Sequence, residues 1–343
     1  MRPPMQILLL VTFCALYGCD DTGRPPEYFA GEAMGTTWSV QIGDLPAGVT
    51  HESLNRQIAD EIEKVNRAMS TYRDDTDVVR FNRATTIDWF PVERSVTDVV
   101  AEALAVSVMS DGAFDITINP VVELWGFGPA DYRNERPTAA EIDTIRTLVG
   151  HRYLEFRPDP PALRKKLAAL SIDLSAIAKG YAVDQVAALL DNHDRTDYLI
   201  EIGGELRGRG HNDRGDAWRI AVERPDPGLR EAQELIELRD RALATSGDYR
   251  NFFEHDGRRY SHTIDPRTAE PVEHSLASVT VLADTAMRAD ALATALLVLG
   301  PKAGAELAIR ENLAVMFIAR TKNGFDITNS PAMQCYLEHT ACE

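Results

Sequence analysis

The sequence predicts an α+β fold with mixed or antiparallel sheets and packed helices. β-rich alternating stretches such as Met34 to Ile42 stand beside strongly periodic helical stretches such as Leu54 to Met69. These elements follow one another without the regular βαβ alternation that marks a parallel doubly wound sheet. From Tyr28 onward there is no low-complexity break, long linker or obvious internal repeat, so the rest of the chain is expected to form one domain.

The elements are read in chain order. Met34 to Ile42 (MGTTWSVQI) alternates and is a strand. Leu54, Ile58, Ile62, Val65 and Met69 make one apolar stripe at helical spacing. Val96 to Met109 is a second helix, stopped by Asp111-Gly112, and Ala139 to Val149 a third, closed by Gly150. Ser171 to Leu174 is expected to be a short strand that leads through Ser175 to Gly180 into a helix reaching about Leu190. Tyr198 to Ile202, Trp218 to Glu223 and Ser278 to Leu282 are further strands. Asp284 is expected to cap an apolar helix that ends at Gly300-Pro301.

Residues 1–18 run from Arg2 through the apolar stretch Ile7 to Leu16 to small residues, the pattern of a signal peptide. That stretch is too short to span a bilayer, and no second apolar run is expected to reach spanning length. Leu16-Tyr17-Gly18-Cys19 resembles a bacterial lipobox, which would make Cys19 the lipidated mature N-terminus. Residues 19–28 read as a polar tether and 29–338 as the folded domain. Asp20 resembles the signal that retains lipoproteins at the inner membrane, so the expected location is its periplasmic face. Cys335 and Cys342 remain after processing, either as a short disulfide or as two surface thiols.

The chain carries 36 Lys+Arg against 53 Asp+Glu, a net charge of −17 that becomes −18 once residues 1–18 leave. Such a balance excludes non-specific nucleic-acid binding, which needs a basic surface. There is no dinucleotide-binding glycine fingerprint, P-loop, HExxH or GxSxG motif, and no Cys/His cluster at zinc spacing.

Three constellations carry chemistry. Asp290 and Thr294 lie at i, i+4 on an apolar helix, so a carboxylate and a hydroxyl share one face. A buried carboxylate needs a partner, either a hard cation such as Mg²⁺ or an arginine such as Arg288. His262 lies in a polar segment before a proline turn, placed either as a general base or as a structural side chain. Asp248 has the same ambiguity. Gly112 to Thr117 and Leu124 to Gly128 mix aromatics with glycines, which suits either stacking on a planar ring or anchoring a loop in the core. Tyr72 either stacks on such a ring or covers a helix end.

Taken together, Met34-Gly35-Thr36-Thr37-Trp38, Met69 to Tyr72, Gly112 to Asp115, Ile172 to Gly180, Glu201 to Glu205, Ser246 to Tyr249, His262 to Pro266 and Ala289 to Ala295 resemble the ApbE family of FAD:protein FMN transferases. The segments follow the family's order across residues 30 to 300. The resemblance implies an enzyme that splits FAD at its pyrophosphate, places FMN on a threonine hydroxyl of a target protein and releases AMP. It implies Mg²⁺ held by Asp290, Thr294 and the backbone carbonyl of Ala178. It places Met34, Tyr72, Ala113, Phe114, Asp115, Ser175, Lys179 and Ile264 around FAD, with His262 as the base. The implied partners are periplasm-facing subunits of ion-pumping or electron-transfer membrane complexes. A Mg²⁺-dependent FAD pyrophosphatase and a flavin-binding lipoprotein without turnover are the alternative readings.

Overall fold

The computed structural model describes residues 26–128, 136–225, 232–248, 252–255 and 258–340. Its centre is one eight-stranded sheet formed by β1 (Glu27–Ala33), β2 (Thr36–Ile42), β3 (Tyr198–Ile202), β4 (Glu205–Arg209), β5 (Arg241–Gly247), β6 (Leu276–Ala283), β7 (Ala314–Thr321) and β8 (Gly324–Asn329). The spatial order follows the chain order, and every neighbouring pair is antiparallel. The fold is therefore α+β, as expected, with the helices inserted between sheet strands.

Alternation along the strands explains the two layers. Ala242, Ala244, Val281, Val315 and Phe317 point into the larger core, whereas Leu243, Leu282, Met316 and Ile318 point to the opposite face. The larger core is closed by α1 (His51–Met69), α2 (Arg94–Met109), α3 (Ala178–Asn192) and α4 (Ala286–Arg310). The opposite face is covered by the hairpin Trp218–Glu223 with Ala232–Leu238 and by the helix Pro331–Glu338.

Local chemistry sets the helix ends. Thr50 caps α1 by accepting from the Ser53 N–H, and the whole predicted stripe is buried. The third expected helix runs Ala139–Arg146, shorter than read, and starts at a Thr138/Glu141 capping box. Helix α4 is capped by Thr285, whose hydroxyl accepts from the Arg288 N–H, not by Asp284. Asp284 instead pairs with Arg241. The expected stop is a break within α4: Gly300 has φ 77° and ψ −178°, and the chain then resumes helix at Pro301. A positive φ at that point favours glycine, and proline needs no N–H acceptor at the start of a helical segment.

Four other expectations are corrected. Glu27 and Tyr28 belong to β1 and not to a tether. The β1–β2 hairpin turns at Met34-Gly35, so β2 begins at Thr36. Residues 171–174 form no strand. Their backbone is satisfied by a side chain and a loop instead: Asn82 accepts from the Ile172 N–H and donates to its carbonyl, both at 2.8 Å, and the Asp173 N–H donates to Ile116. Lastly, α4 is long and apolar enough to cross a membrane by length and composition, contrary to expectation, yet more than half of it is buried in the core. The signal peptide, Cys19 and Cys342 lie outside the described residues.

Candidate active site

Where β4 begins, the sheet opens onto a cavity of about 1090 Å³. Its walls come from the start of β4, the end of β5, α4, the loops 113–118 and 173–179, the turn at 262–266 and the hairpin strand Trp218–Glu223. Helices α3 and α4 meet closely beneath it, since a Cβ on Gly180 would lie 2.2 Å from the Ala286 carbonyl oxygen. Only glycine permits that approach. It brings the first turn of α3 against Asp290.

Asp290 is 3% exposed, and its Oδ2 accepts the Gly180 N–H at 3.1 Å. Lys179 Nζ is 3.8 Å from the same oxygen and 3.1 Å from Glu205 Oε1. One turn along α4, Thr294 Oγ1 lies 2.9 Å from Ser246 Oγ on β5. Arg288, the alternative partner considered for Asp290, pairs with Glu102 at 2.7 Å.

Burial raises the Asp290 carboxyl above the usual range, although Lys179 and the Gly180 N–H pull it down. Burial likewise pushes Glu205 up to about 8, with Lys179 opposing and Asp290 adding to the rise. Burial works against the Lys179 ammonium, but Asp290 and Glu205 together outweigh it and hold the lysine charged. The group thus gathers two buried acidic side chains around one ammonium.

Tyr72, Ala113, Phe114, Asp115, Ser175, Lys179, His262, Ile264, Asp290 and Thr294 all line this one cavity, although they come from distant parts of the chain. Tyr72 stands at the rim, 74% exposed. His262 meets the edge of Phe127 at 6.4 Å between ring centroids. Asp115 has a structural task as well: Oδ1 accepts from the Thr117 N–H and hydroxyl, and Oδ2 from the His151 N–H at 2.6 Å. That carboxylate raises the His151 imidazole above its usual range, burial opposing.

Two expected site residues do not line the cavity. Met34 sits in the β1–β2 turn and packs on the core, and Ala178 is buried at the start of α3. Asp248 is also absent from the lining and binds Arg320 through two hydrogen bonds of 2.9 and 2.5 Å. Trp125 anchors its loop by donating to the Ala269 carbonyl at 2.9 Å, while Phe127 reaches the cavity wall. Glu205 and Ser246 are site residues to which the sequence reading gave no role. Glu205 stood in the Gly-Gly-Glu segment, but only the approach of α3 to β4 reveals its contact.

The family model described as the ApbE family matches residues 34–317. The chain belongs to the ApbE family. Within that family it is 40% identical over 333 residues to the FAD:protein FMN transferase of Vibrio cholerae, covering 96% of this chain and 98% of that one. It is 42% identical over 311 residues to the enzyme of the same name from Haemophilus influenzae, covering 89% and 90%. The solved flavin transferase ApbE from Vibrio cholerae superposes with a TM-score of 0.84 at 40% identity, covering 91% of this chain and all of that one. This ApbE-family chain is an enzyme of the transferase class.

The donors at Asp290 suit the Mg²⁺ that the family resemblance implies. Among the described residues no three His, Cys, Asp or Glu side chains form a metal cluster. What the cavity offers is oxygen, from the Asp290 carboxylate and the Thr294 hydroxyl, while Ala178 begins α3 outside the lining. Oxygen donors with few protein ligands match a hard cation that completes its shell with phosphate oxygens and water.

Proposed function

We propose that this transferase moves FMN from FAD to a threonine hydroxyl of a target protein and releases AMP. The observation that carries the reading is the meeting of Asp290, Thr294, Lys179 and His262 on the wall of one cavity. The relatives' shared name supports FAD as donor and a protein as acceptor.

The chain's own groups then take defined tasks. Asp290, Thr294 and the Ala178 carbonyl hold Mg²⁺, which neutralises charge on the diphosphate when bound. Lys179 presents its ammonium to the same phosphates. Tyr72, exposed at the rim, offers an aromatic face to the flavin or adenine ring, and Phe114, Ser175 and Ile264 shape the walls. His262 accepts the proton of the acceptor hydroxyl as its oxygen attacks the FMN phosphorus. The bond from that phosphorus to the AMP oxygen breaks, and AMP leaves with the electron pair. Positioning and charge neutralisation do most of the work in such a transfer.

A lipid on Cys19 would tether the enzyme to the periplasmic face of the inner membrane. Periplasm-facing subunits of ion-pumping or electron-transfer complexes would then be its acceptors at raised effective concentration. The chemistry is tested by incubating the mature protein with FAD, Mg²⁺ and an acceptor domain while AMP and adduct are quantified together. One AMP per FMN-bearing threonine is expected, and Thr→Val in the acceptor removes both. Labelling that survives that change, or adduct formed without AMP, contradicts the reading.

A further inference from the structure

Glu205 opens β4 at the cavity wall with its side chain only 5% exposed. One oxygen, Oε1, lies 3.1 Å from Lys179 Nζ, while Oε2 is buried without a hydrogen-bond partner. A buried acceptor left in that state is destabilising, so packing alone does not account for Glu205 there.

The distances around Lys179 show what it does. Lys179 is tied to Asp290 through the backbone, because the next residue, Gly180, donates its N–H to Asp290 Oδ2. An ammonium so close to a buried carboxylate gains strongly by closing to a direct hydrogen-bonded pair. Yet Nζ stops at 3.8 Å from Asp290 and makes its short contact with Glu205. A closed Lys179–Asp290 pair would set the ammonium charge directly against a cation on the same carboxylate.

We propose that Glu205 is a positioning residue that draws the Lys179 ammonium off Asp290 and so keeps that carboxylate open to a divalent cation. The inference rests on Asp290 being a metal ligand. Lys179 then stays in the cavity beside the cation instead of being expelled by it.

Mn²⁺ binding to the mature protein without FAD, followed by the loss of the free-ion electron paramagnetic resonance signal, tests this apart from turnover. Glu205→Ala is expected to weaken Mn²⁺ binding by about tenfold or more, the usual scale for a residue that orients a metal ligand. The Glu205→Ala/Lys179→Ala double variant is expected to return to near the wild-type affinity, because the competing ammonium is gone. Unchanged binding in Glu205→Ala overturns the inference, as does a double variant as weak as the single, which would make Glu205 a direct ligand. Glu205→Leu keeps the bulk and removes both acceptor oxygens. Should the alanine variant fail to fold, weakened binding in Glu205→Leu that Lys179→Ala restores supports the inference, and unchanged binding overturns it. Wild-type protein that takes up no Mn²⁺, or Asp290→Ala that binds it normally, brings down the metal assignment and this inference with it.

Discussion

Asp290 owes its chemistry to its surroundings. It sits among alanines and leucines on α4, and burial alone would favour its neutral form. His262 lies on the same cavity wall and, as the proposed base, separates experimentally from Asp290. His262→Ala is expected to bind FAD as tightly as wild type, read by flavin fluorescence, while transfer falls by about 10²–10⁴-fold, the usual contribution of a general base. An unchanged transfer rate removes His262 from that role. Asp290 and Thr294 were legible in the sequence because an i, i+4 pair on an apolar helix places two oxygens on one buried face. Glu205 was not, because its partner comes from α3, earlier in the chain, and no local spacing encodes that contact. Met34 and Ala178 carry family signals, yet neither lines the cavity: Met34 stands in the hairpin turn and Ala178 begins α3.

At the scale of elements, the site depends on how closely α3 and α4 approach. Gly180→Ala would set a Cβ 2.2 Å from the Ala286 carbonyl oxygen and 2.5 Å from its carbon, contacts that backbone cannot relieve without moving a helix. The expected cost is about 1–3 kcal/mol, the range for overpacking, seen as a lowered Tm. A Tm within error of wild type would contradict the close packing. Lys165 is the other structural device. At the end of the strand Pro161–Lys165 its buried ammonium donates to the carbonyls of Ala84 and Leu170 at 2.8 Å and lies over the Phe81 ring. Burial lowers its pKa from 10.5 to about 8. Between those values the unfolded chain holds a proton that the folded chain has released, so Lys165 makes stability rise with pH across that window. Wild type should therefore gain on Lys165→Met between pH 8 and 10.5 in denaturant unfolding, and a constant difference would refute the assignment. Helices and core strands were readable because their apolar periods match their burial. Residues 171–174 misled for a physical reason: Ser-Ile-Asp-Leu alternates like a strand, but Asn82 took the hydrogen bonds a sheet neighbour would have supplied.

Across the whole molecule, a chain of net charge −17 binds an anionic dinucleotide in the proposed reading. The cavity lining is acidic as well, with Asp115, Asp173, Glu201, Glu205, Glu223 and Asp290 beside Lys179. A cation at Asp290 would therefore supply the positive charge that the pyrophosphate needs. Fold class and much of the cavity wall were legible because eight ordered motifs identify the family, while the sheet's uninterrupted antiparallel order emerged only from strand pairing. The central claim is protein flavinylation, and one gel measures it. The mature protein, FAD, Mg²⁺ and an acceptor domain are incubated together, denatured and scanned for flavin fluorescence. A fluorescent acceptor band that survives denaturation is the predicted result; free FMN with an unlabelled acceptor, or unconsumed FAD, would contradict it.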